Sequence, residues 1–375
     1  MKIVYCIAGT FNSGGMERVL AIKANWLVNH GHEVHVITTD QCGRAPYFLM
    51  DARIIQHDLN ILYDTTVPKN LVGKLLTYPS KQIAHRKKLA ILLKQLKADV
   101  VISMFDHEAS FLYKIDDGSM KVLEIHFSRF KRQQYGRKGI WGWINRMRSQ
   151  QDLAIAKRYD RFVVLTEEDR GYWGALPNIA VIANPNSYES LLRADISSKQ
   201  AIAVGRLDYQ KGFEELILIW KEVHRLQPDW KLNIFGSGPL KEALEQLIRN
   251  DGLQDVVRIQ PPVKDIAQVY VQHSILLMTS RYEGLPMVLL EGQIHGLPMV
   301  AYACKCGPRD IIQQGVNGWL IEEADRRTFG EKVVALMTDE NSRSRMGEQA
   351  KAMSSRFSEG EIMQKWLNLF NGMLG

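Results

Sequence analysis

Two stretches concentrate side chains suited to holding an anion and a diol. In Val204-Gly205-Arg206-Leu207-Asp208-Tyr209-Gln210-Lys211-Gly212 a strand ends at Gly205, and two cations follow within one loop. A planar guanidinium clamps phosphate oxygens bidentately and a Lys ammonium adds a mobile point charge. Arg206 and Lys211 therefore suit a diphosphate, although a solvated basic loop would read the same way in isolation. In Ser280-Arg281-Tyr282-Glu283-Gly284-Leu285-Pro286-Met287-Val288-Leu289-Leu290-Glu291, Pro286 reads as the first residue of a helix. The amides from Gly284 to Val288, Leu285 among them, would face out of that helix start, where anions bind. Glu291, inside the helix, could accept two hydroxyl hydrogen bonds, as a ribose requires. Glu283 precedes the helix. A Glu pair placed near a helix start by the dipole alone would look the same.

These residues need rigid strand ends behind them. The chain alternates strands and helices. Strands are expected at Ile3 to Ala8, Glu33 to Thr38, Asp99 to Met104, Val122 to His126 and Arg161 to Thr166. A first helix should bury Val19, Ile22 and Trp26 and stop at Gly31. After Asn184-Pro185-Asn186 the alternation restarts. Strands are expected at Ala201 to Val204, Trp230 to Phe235, Val256 to Gln260, Ser274 to Thr279 and Met299 to Tyr302, and helices at Phe213 to Arg225 and Leu240 to Arg249. This alternation predicts βαβ units and parallel sheets. The expected architecture is α/β, with two Rossmann-like parallel-sheet domains facing across a cleft. Residues 1–183 form the first domain and 184–355 the second. Residues 356–375 form a helix returning to the first, with Ile362, Met363, Trp366, Leu367 and Phe370 at helical spacing. Glycine-rich turns after Ala8, Val204 and Phe235 fall at strand carboxyl ends, where open sheets bind ligands.

Glu283 and Glu291, eight apart with Gly284 between them, resemble the Glu-x7-Glu motif of retaining glycosyltransferases of family 4. Four other turns resemble the family's in the same order. They are Gly14-Gly15-Met16-Glu17, Gly205-Arg206 with Lys211-Gly212, Phe235-Gly236-Ser237-Gly238-Pro239, and Gly315-Val316-Asn317-Gly318. The resemblance runs over nearly the whole chain. It implies a GT-B fold with residues 1–183 as the acceptor-side domain and 184–355 as the nucleotide-sugar domain, a UDP-sugar donor, no cofactor, no essential metal, and transfer that retains the anomeric configuration. Carried onto this sequence, it implies that Arg206 and Lys211 hold the diphosphate and Glu291 the ribose. Glu283 and the amides after it would meet the transferred sugar. Gly14, Gly15, Gly236, Gly238, Val263, Gly284, Leu285 and Pro286 complete the donor contacts, with Gly15 allowing close approach to the phosphates. His126 resembles the family's histidine facing the donor sugar, and His107 is a weaker candidate for acceptor contact. Stabilising the departing diphosphate with fixed cations and amides contributes about 10² to 10³ in rate per group, roughly 3–4 kcal/mol. The resemblance therefore implies His126, Arg206, Lys211 and Glu283 as the catalytic set. No carboxylate pair is arranged as in a glycosidase.

Two departures stand out: Ser187-Tyr188-Glu189 follows Asn186 where relatives carry a small residue, Val and Asp, and Gly292-Gln293 follows Glu291 where Ala-Met is common. The stretch Cys304-Lys305-Cys306-Gly307-Pro308-Arg309-Asp310 resembles relatives that extend lipid-linked surface glycans. The expected activity is transfer of a hexosyl or N-acetylhexosaminyl group from a UDP-sugar to a glycan acceptor, lipid-linked, in capsule, exopolysaccharide or lipopolysaccharide synthesis.

Charge is unevenly shared. Residues 1–180 hold 26 Lys+Arg against 17 Asp+Glu, and the remainder 22 against 24. Lys121, Arg129, Lys131, Arg132, Arg137, Lys138, Arg146 and Arg148 surround Ile140, Trp141 and Trp143, with Glu124 the one acid between 121 and 148. Basic residues with interleaved aromatics suit an anionic membrane surface. The expected partner is thus the inner face of the cytoplasmic membrane, bound peripherally, and not nucleic acid, since no nucleic-acid module is visible. No apolar run reaches the ~18 residues of a membrane span, and Met1 to Tyr5 reads as a strand, not a signal peptide, so a cytoplasmic location is expected. Four cysteines give no disulfide framework and no zinc pattern. A dinucleotide oxidoreductase would need Gly-x-Gly-x-x-Gly where this chain has Gly9 and then Gly14-Gly15. A sugar-nucleotide epimerase, a phosphorylase of similar architecture and a non-catalytic sugar-nucleotide binder also compete with a transferase.

Overall fold

The computed structural model describes residues 1–66, 71–131 and 139–375. The chain divides into two compact units, Met1–Pro185 with Glu359–Gly375, and Asn186–Ser358.

The first unit is a seven-stranded parallel sheet. Its strands are β1 (Lys2–Ile7), β2 (Glu33–Thr38), β3 (Ile55–Asp58), β4 (Val100–Ser103), β5 (Met120–Glu124), β6 (Arg161–Val164) and β7 (Ile179–Val181). Their order is β3-β2-β1-β4-β5-β6-β7. The helices are α1 (Gly15–Asn29), α2 (Leu71–Leu96), α3 (Ile140–Ala156) and α4 (Glu167–Trp173). Strand β1 reads as a continuous apolar run because both faces are covered. Ile3, Tyr5 and Ile7 pack in one core layer with Leu20, Ala24 and Leu27 of α1. Val4 and Cys6 pack in the other, with Leu89, Leu93 and Phe162. This is the two-residue alternation of a strand between two helical layers.

The second unit has β8 (Gln200–Val204), β9 (Lys231–Phe235), β10 (Val257–Gln260), β11 (Ile275–Met278), β12 (Met299–Tyr302) and β13 (Gly318–Ile321). Their order is β10-β9-β8-β11-β12-β13, all parallel. Its helices are α5 (Phe213–Leu226), α6 (Lys241–Asn250), α7 (Ile266–Tyr270), α8 (Met287–His295), α9 (Pro308–Ile311), α10 (Arg326–Thr338) and α11 (Glu340–Met353). The chain then returns to the first unit as α12 (Glu359–Leu374), whose Ile362, Met363, Trp366 and Phe370 join the layer of Ile3 and Tyr5.

Several details differ from the sequence expectation. The face of α1 that is buried runs through Leu20, Ala24 and Leu27, while Ile22 and Trp26 are only partly covered. Helical spacing fits both stripes, and the packing partner decides. Strand β5 stops at Glu124, so His126 lies just beyond it in a loop. Pro286 is the N-cap of α8, with extended backbone, and Met287 is the first helical residue. Strands β3, β7 and β13 lie at sheet edges, where the half-exposed sequence gives weak apolar signals. Gly292 is explained by packing: a Cβ there would lie 2.4 Å from Leu276 Cδ2 on β11, so the missing side chain lets α8 approach the sheet.

The ends of β8, β9 and β10 are laid against one another in step. Gly205 N donates to Phe235 O and Gly236 N to Gln260 O. A Cβ on Gly236 would come within 1.9 Å of Gly205 O, a backbone atom with no freedom to move aside. Gly236→Ala should therefore cost about 1–3 kcal/mol. In a unit of this size that lowers the melting temperature by roughly 2–4 °C per kcal/mol, measurable by differential scanning calorimetry. An unchanged melting temperature would show that the two turns are not held together as described.

Candidate functional site

In the second unit, two loops meet at the carboxyl ends of β8 and β11. The loop after β8 is shaped by Asp208, whose Oδ1 accepts from the amides of Gln210 (3.0 Å) and Lys211 (3.4 Å). It ends at Gly212, in the left-handed region at φ 61°, where α5 starts. A Cβ at Gly212 would lie 2.4 Å from Thr279 O, so glycine allows this loop to lie against the end of β11. Thr279 Oγ1 in turn donates to Gly212 O at 3.0 Å.

Across that contact Lys211 Nζ meets Glu283 Oε1 at 2.7 Å, with both side chains largely buried. Gln210 Nε2 donates to Tyr282 O (3.0 Å) and to Glu283 Oε2 (3.4 Å). Arg281 closes the outer side. Its guanidinium donates to Tyr209 O and to Glu214 Oε1, each at 2.6 Å, and lies over the Tyr209 ring. The sequence does not mark Gln210 and Arg281 as site residues. Their one signal is position, since each sits inside a stretch whose neighbours are the candidates read from the sequence. Arg206 is separate from Lys211: its guanidinium pairs with Asp208 Oδ2 at 2.5 Å and is 69% exposed. Two cations thus lie on one loop, one pre-paired across the turn and one at the surface.

Glu291 lies in the second turn of α8 and is buried. Its Oε1 accepts from Ser187 Oγ at 2.7 Å and its Oε2 from the Tyr270 hydroxyl at 2.9 Å. The carboxylate therefore accepts two hydroxyls, and both donors come from the protein. Ser187, the departure noted after Asn186, accounts for one of them. Asn186 itself is fixed by Phe357 and Ser354. Gly238 carries the next close approach, its Cβ position lying 2.4 Å from Leu207 O. Gly284, Leu285 and Pro286 form the turn between Glu283 and α8. Val263 is exposed in the loop after β10.

In the first unit Gly14 caps α1 and Gly15 is its first residue, with open space where a Cβ would stand. Glu17 is buried beneath that turn, and burial raises its carboxyl above the usual range. His126 has Nε2 3.3 Å from Glu124 Oε1, while neither ring nitrogen makes a hydrogen bond of ordinary geometry or reaches solvent. His107 stacks on Tyr63, centroids 3.8 Å apart, with the Tyr78 hydroxyl 3.4 Å from its Nδ1. It lies in a short helical turn after β4, capped by Asp106.

The basic stretch is thinner than composition implies. Lys121 is spent on Asp117 and Ser119, and Arg129 on Tyr172 O and the Trp173 ring. Lys131 lies over Phe127. Arg132, Arg137 and Lys138 lie outside the described residues, as do the side chains of Ile140 and Trp141. On α3, Arg146 and Arg148 remain exposed beside Trp143 and Met147. No helix among the described residues is long and apolar enough to cross a membrane. Among them no cluster of three or more His, Cys, Asp or Glu is placed to hold a metal ion.

The model for glycosyl transferases group 1 matches residues 192–353, and that for glycosyltransferase family 4 matches residues 13–185. The chain is 29% identical to the amylovoran biosynthesis glycosyltransferase AmsD of Erwinia amylovora, over 99% of each chain. It is 27% identical, over 98% of each, to the Campylobacter jejuni enzyme named GalNAc-alpha-(1->4)-GalNAc-alpha-(1->3)-diNAcBac-PP-undecaprenol alpha-1,4-N-acetyl-D-galactosaminyltransferase. Among solved structures, S. aureus TarM, in a complex that includes UDP, superposes with a TM-score of 0.79 at 17% identity over 99% of each chain. Two family models over successive halves, full-length relatives and the paired parallel sheets agree: the chain belongs to the family 4 glycosyltransferases and has the GT-B fold.

Proposed function

We propose that this glycosyltransferase takes a UDP-sugar as donor and transfers its hexosyl or N-acetylhexosaminyl group, with retention and without a metal, to a lipid-linked glycan in bacterial surface-polysaccharide synthesis. The observation that carries the reading is the meeting of Lys211, Gln210 and Glu283 at adjoining strand ends. A diphosphate arriving there would take Lys211 Nζ from Glu283 and recruit the exposed Arg206. Charge growing on the leaving oxygen is then met by fixed cations and by the first amides of α8, which face outward from the helix start. Glu283, released from Lys211, is left to face the sugar. Glu291 takes the ribose hydroxyls in place of Ser187 and Tyr270, exchanging like for like. Gly14 and Gly15 are the proposed close approach to the phosphates from the first unit, His126 the proposed contact to the transferred sugar and His107 to the acceptor. Gly236, Gly238, Val263, Gly284, Leu285 and Pro286 are proposed to line the nucleotide and sugar. The names of the Erwinia and Campylobacter relatives support the glycan acceptor, and the UDP in the TarM complex supports the nucleotide.

The lipid-linked acceptor is proposed to be met at the cytoplasmic membrane face. Trp143 and Met147 are exposed beside Arg146 on α3. On α2, Ile83 and Ile91 are exposed beside Arg86 and Lys87. Apolar and basic side chains in alternation suit an anionic surface, at about 1 kcal/mol per cation near it. Flotation with vesicles containing phosphatidylglycerol should carry the protein up at low salt and release it at high salt, and Trp143→Ala with Arg146→Ala should weaken it. Equal binding to neutral vesicles, or none to either, would contradict membrane docking.

The donor reading is tested by thermal shift against UDP, GDP, ADP and a panel of UDP-sugars. A ligand at 100 times its dissociation constant adds about 2.7 kcal/mol, or several degrees in a unit of this size. UDP species should stabilise the protein, and Lys211→Ala and Glu291→Ala should each abolish the shift. Stabilisation by no nucleotide, or shifts that survive both substitutions, would refute the site.

A further inference from the structure

Helix α1 faces the sheet with Val19, Leu20, Ala24 and Leu27, and among them stands Lys23, with no solvent exposure. Its Nζ donates to both carboxylate oxygens of Glu124, at 2.8 and 2.6 Å. The same ammonium lies 3.5 Å from the centroid of Trp366 on α12 and 5.3 Å from that of Tyr5. Burial alone would push the Glu124 carboxyl up, but Lys23 and His126 outweigh it and hold the group at about 2. Glu124 is therefore an anion in the folded protein, while burial pulls the Lys23 ammonium below its usual range and Glu124 pulls it back up.

Such a pair is an unneeded way to hold α1 on the sheet. Taking both charges out of water is costly, and apolar side chains of similar volume commonly do as well or better. What the pair supplies that apolar residues would not is a fixed negative charge at the end of β5. Glu124 Oε1 lies 3.3 Å from His126 Nε2, and the imidazole has no hydrogen bond of ordinary geometry on either side. An imidazole beside an anion carries a proton on the nitrogen that faces the anion.

We propose that Lys23 and Glu124 form a positioning pair for His126, with Glu124 holding Nε2–H and Lys23 fixing Glu124, so that Nδ1 is left as the acceptor for a sugar hydroxyl. Trp366 completes the device by covering the ammonium from α12. The inference rests on the reading of His126 as the sugar contact. Lys23 and Glu124 touch no substrate and act through the imidazole.

The test compares wild type with the paired replacement Lys23→Met/Glu124→Leu, which removes both charges together and so avoids stranding one. In nitrogen-15 spectra of histidine-labelled protein, with His126 assigned by His126→Gln, wild type should show the Nε2–H tautomer and the paired variant a mixture. Turnover of the UDP-sugar that stabilises the protein should fall roughly 10- to 100-fold in kcat, with the UDP-induced thermal shift unchanged. A structural role alone would leave both the His126 signal and kcat at wild-type values in the folded variant, and either result overturns the proposal. Should the paired variant not fold, Glu124→Gln is read by the same spectra, and an unchanged His126 tautomer there counts against the proposal. If His126→Gln turns over the donor at the wild-type rate, the sugar-contact reading fails instead, while the spectra still report on the positioning pair.

Discussion

The ion pair between Lys211 and Glu283 is the contact on which the arrangement of the second unit depends. It joins two loops from strands that are neighbours in the sheet but lie far apart in sequence. Everything around it serves to bring those loops together. Asp208 folds the first loop through two amides, Gly212 lets it lie on Thr279 O, and Gln210 ties it to Tyr282. The pair is largely removed from water, so neither charge is left unmatched at cost. It also stores a cation in a defined place, and an anion able to outbid one carboxylate oxygen would find that cation already aimed.

A second constraint is the closeness of the strand-end turns. The carbonyls of Gly205 and Leu207 occupy the volume that side chains at 236 and 238 would need. Glycine is the residue that fits, whatever ligand comes later. The Gly-x-Gly spacing that reads in the sequence as a donor-contact turn is therefore also a packing requirement of the fold, and one role does not exclude the other. Gly15 differs, since nothing in the structure crowds its Cβ position.

The alternation of apolar runs with helical stripes made the paired parallel sheets legible, because strands covered on both faces are apolar throughout. Edge strands such as β3 and β7, half exposed, gave no comparable run. The proposed site residues Arg206, Lys211, Glu283 and Glu291 stood out where a motif fixed their spacing. What spacing could not give was who holds whom. That Glu291 would bind Ser187 and Tyr270, from segments 104 and 21 residues away, is a product of tertiary folding. Nor could composition say that Lys121 and Arg129 would be consumed by internal partners, leaving Arg146 and Arg148 at the surface. Lys23 was the least legible of all, since a lysine on an amphipathic helix reads as exposed until the strand opposite supplies Glu124.

The measurement that tests the central claim most directly is the calorimetric affinity of Glu283→Gln for UDP. Glutamine keeps the shape of the side chain while removing the charge that competes with a diphosphate for Lys211. If that ion pair stores the cation for the donor, UDP should bind the variant at least as tightly as it binds wild type. A marked loss of UDP affinity would contradict the account and make Glu283 a part of the diphosphate site itself.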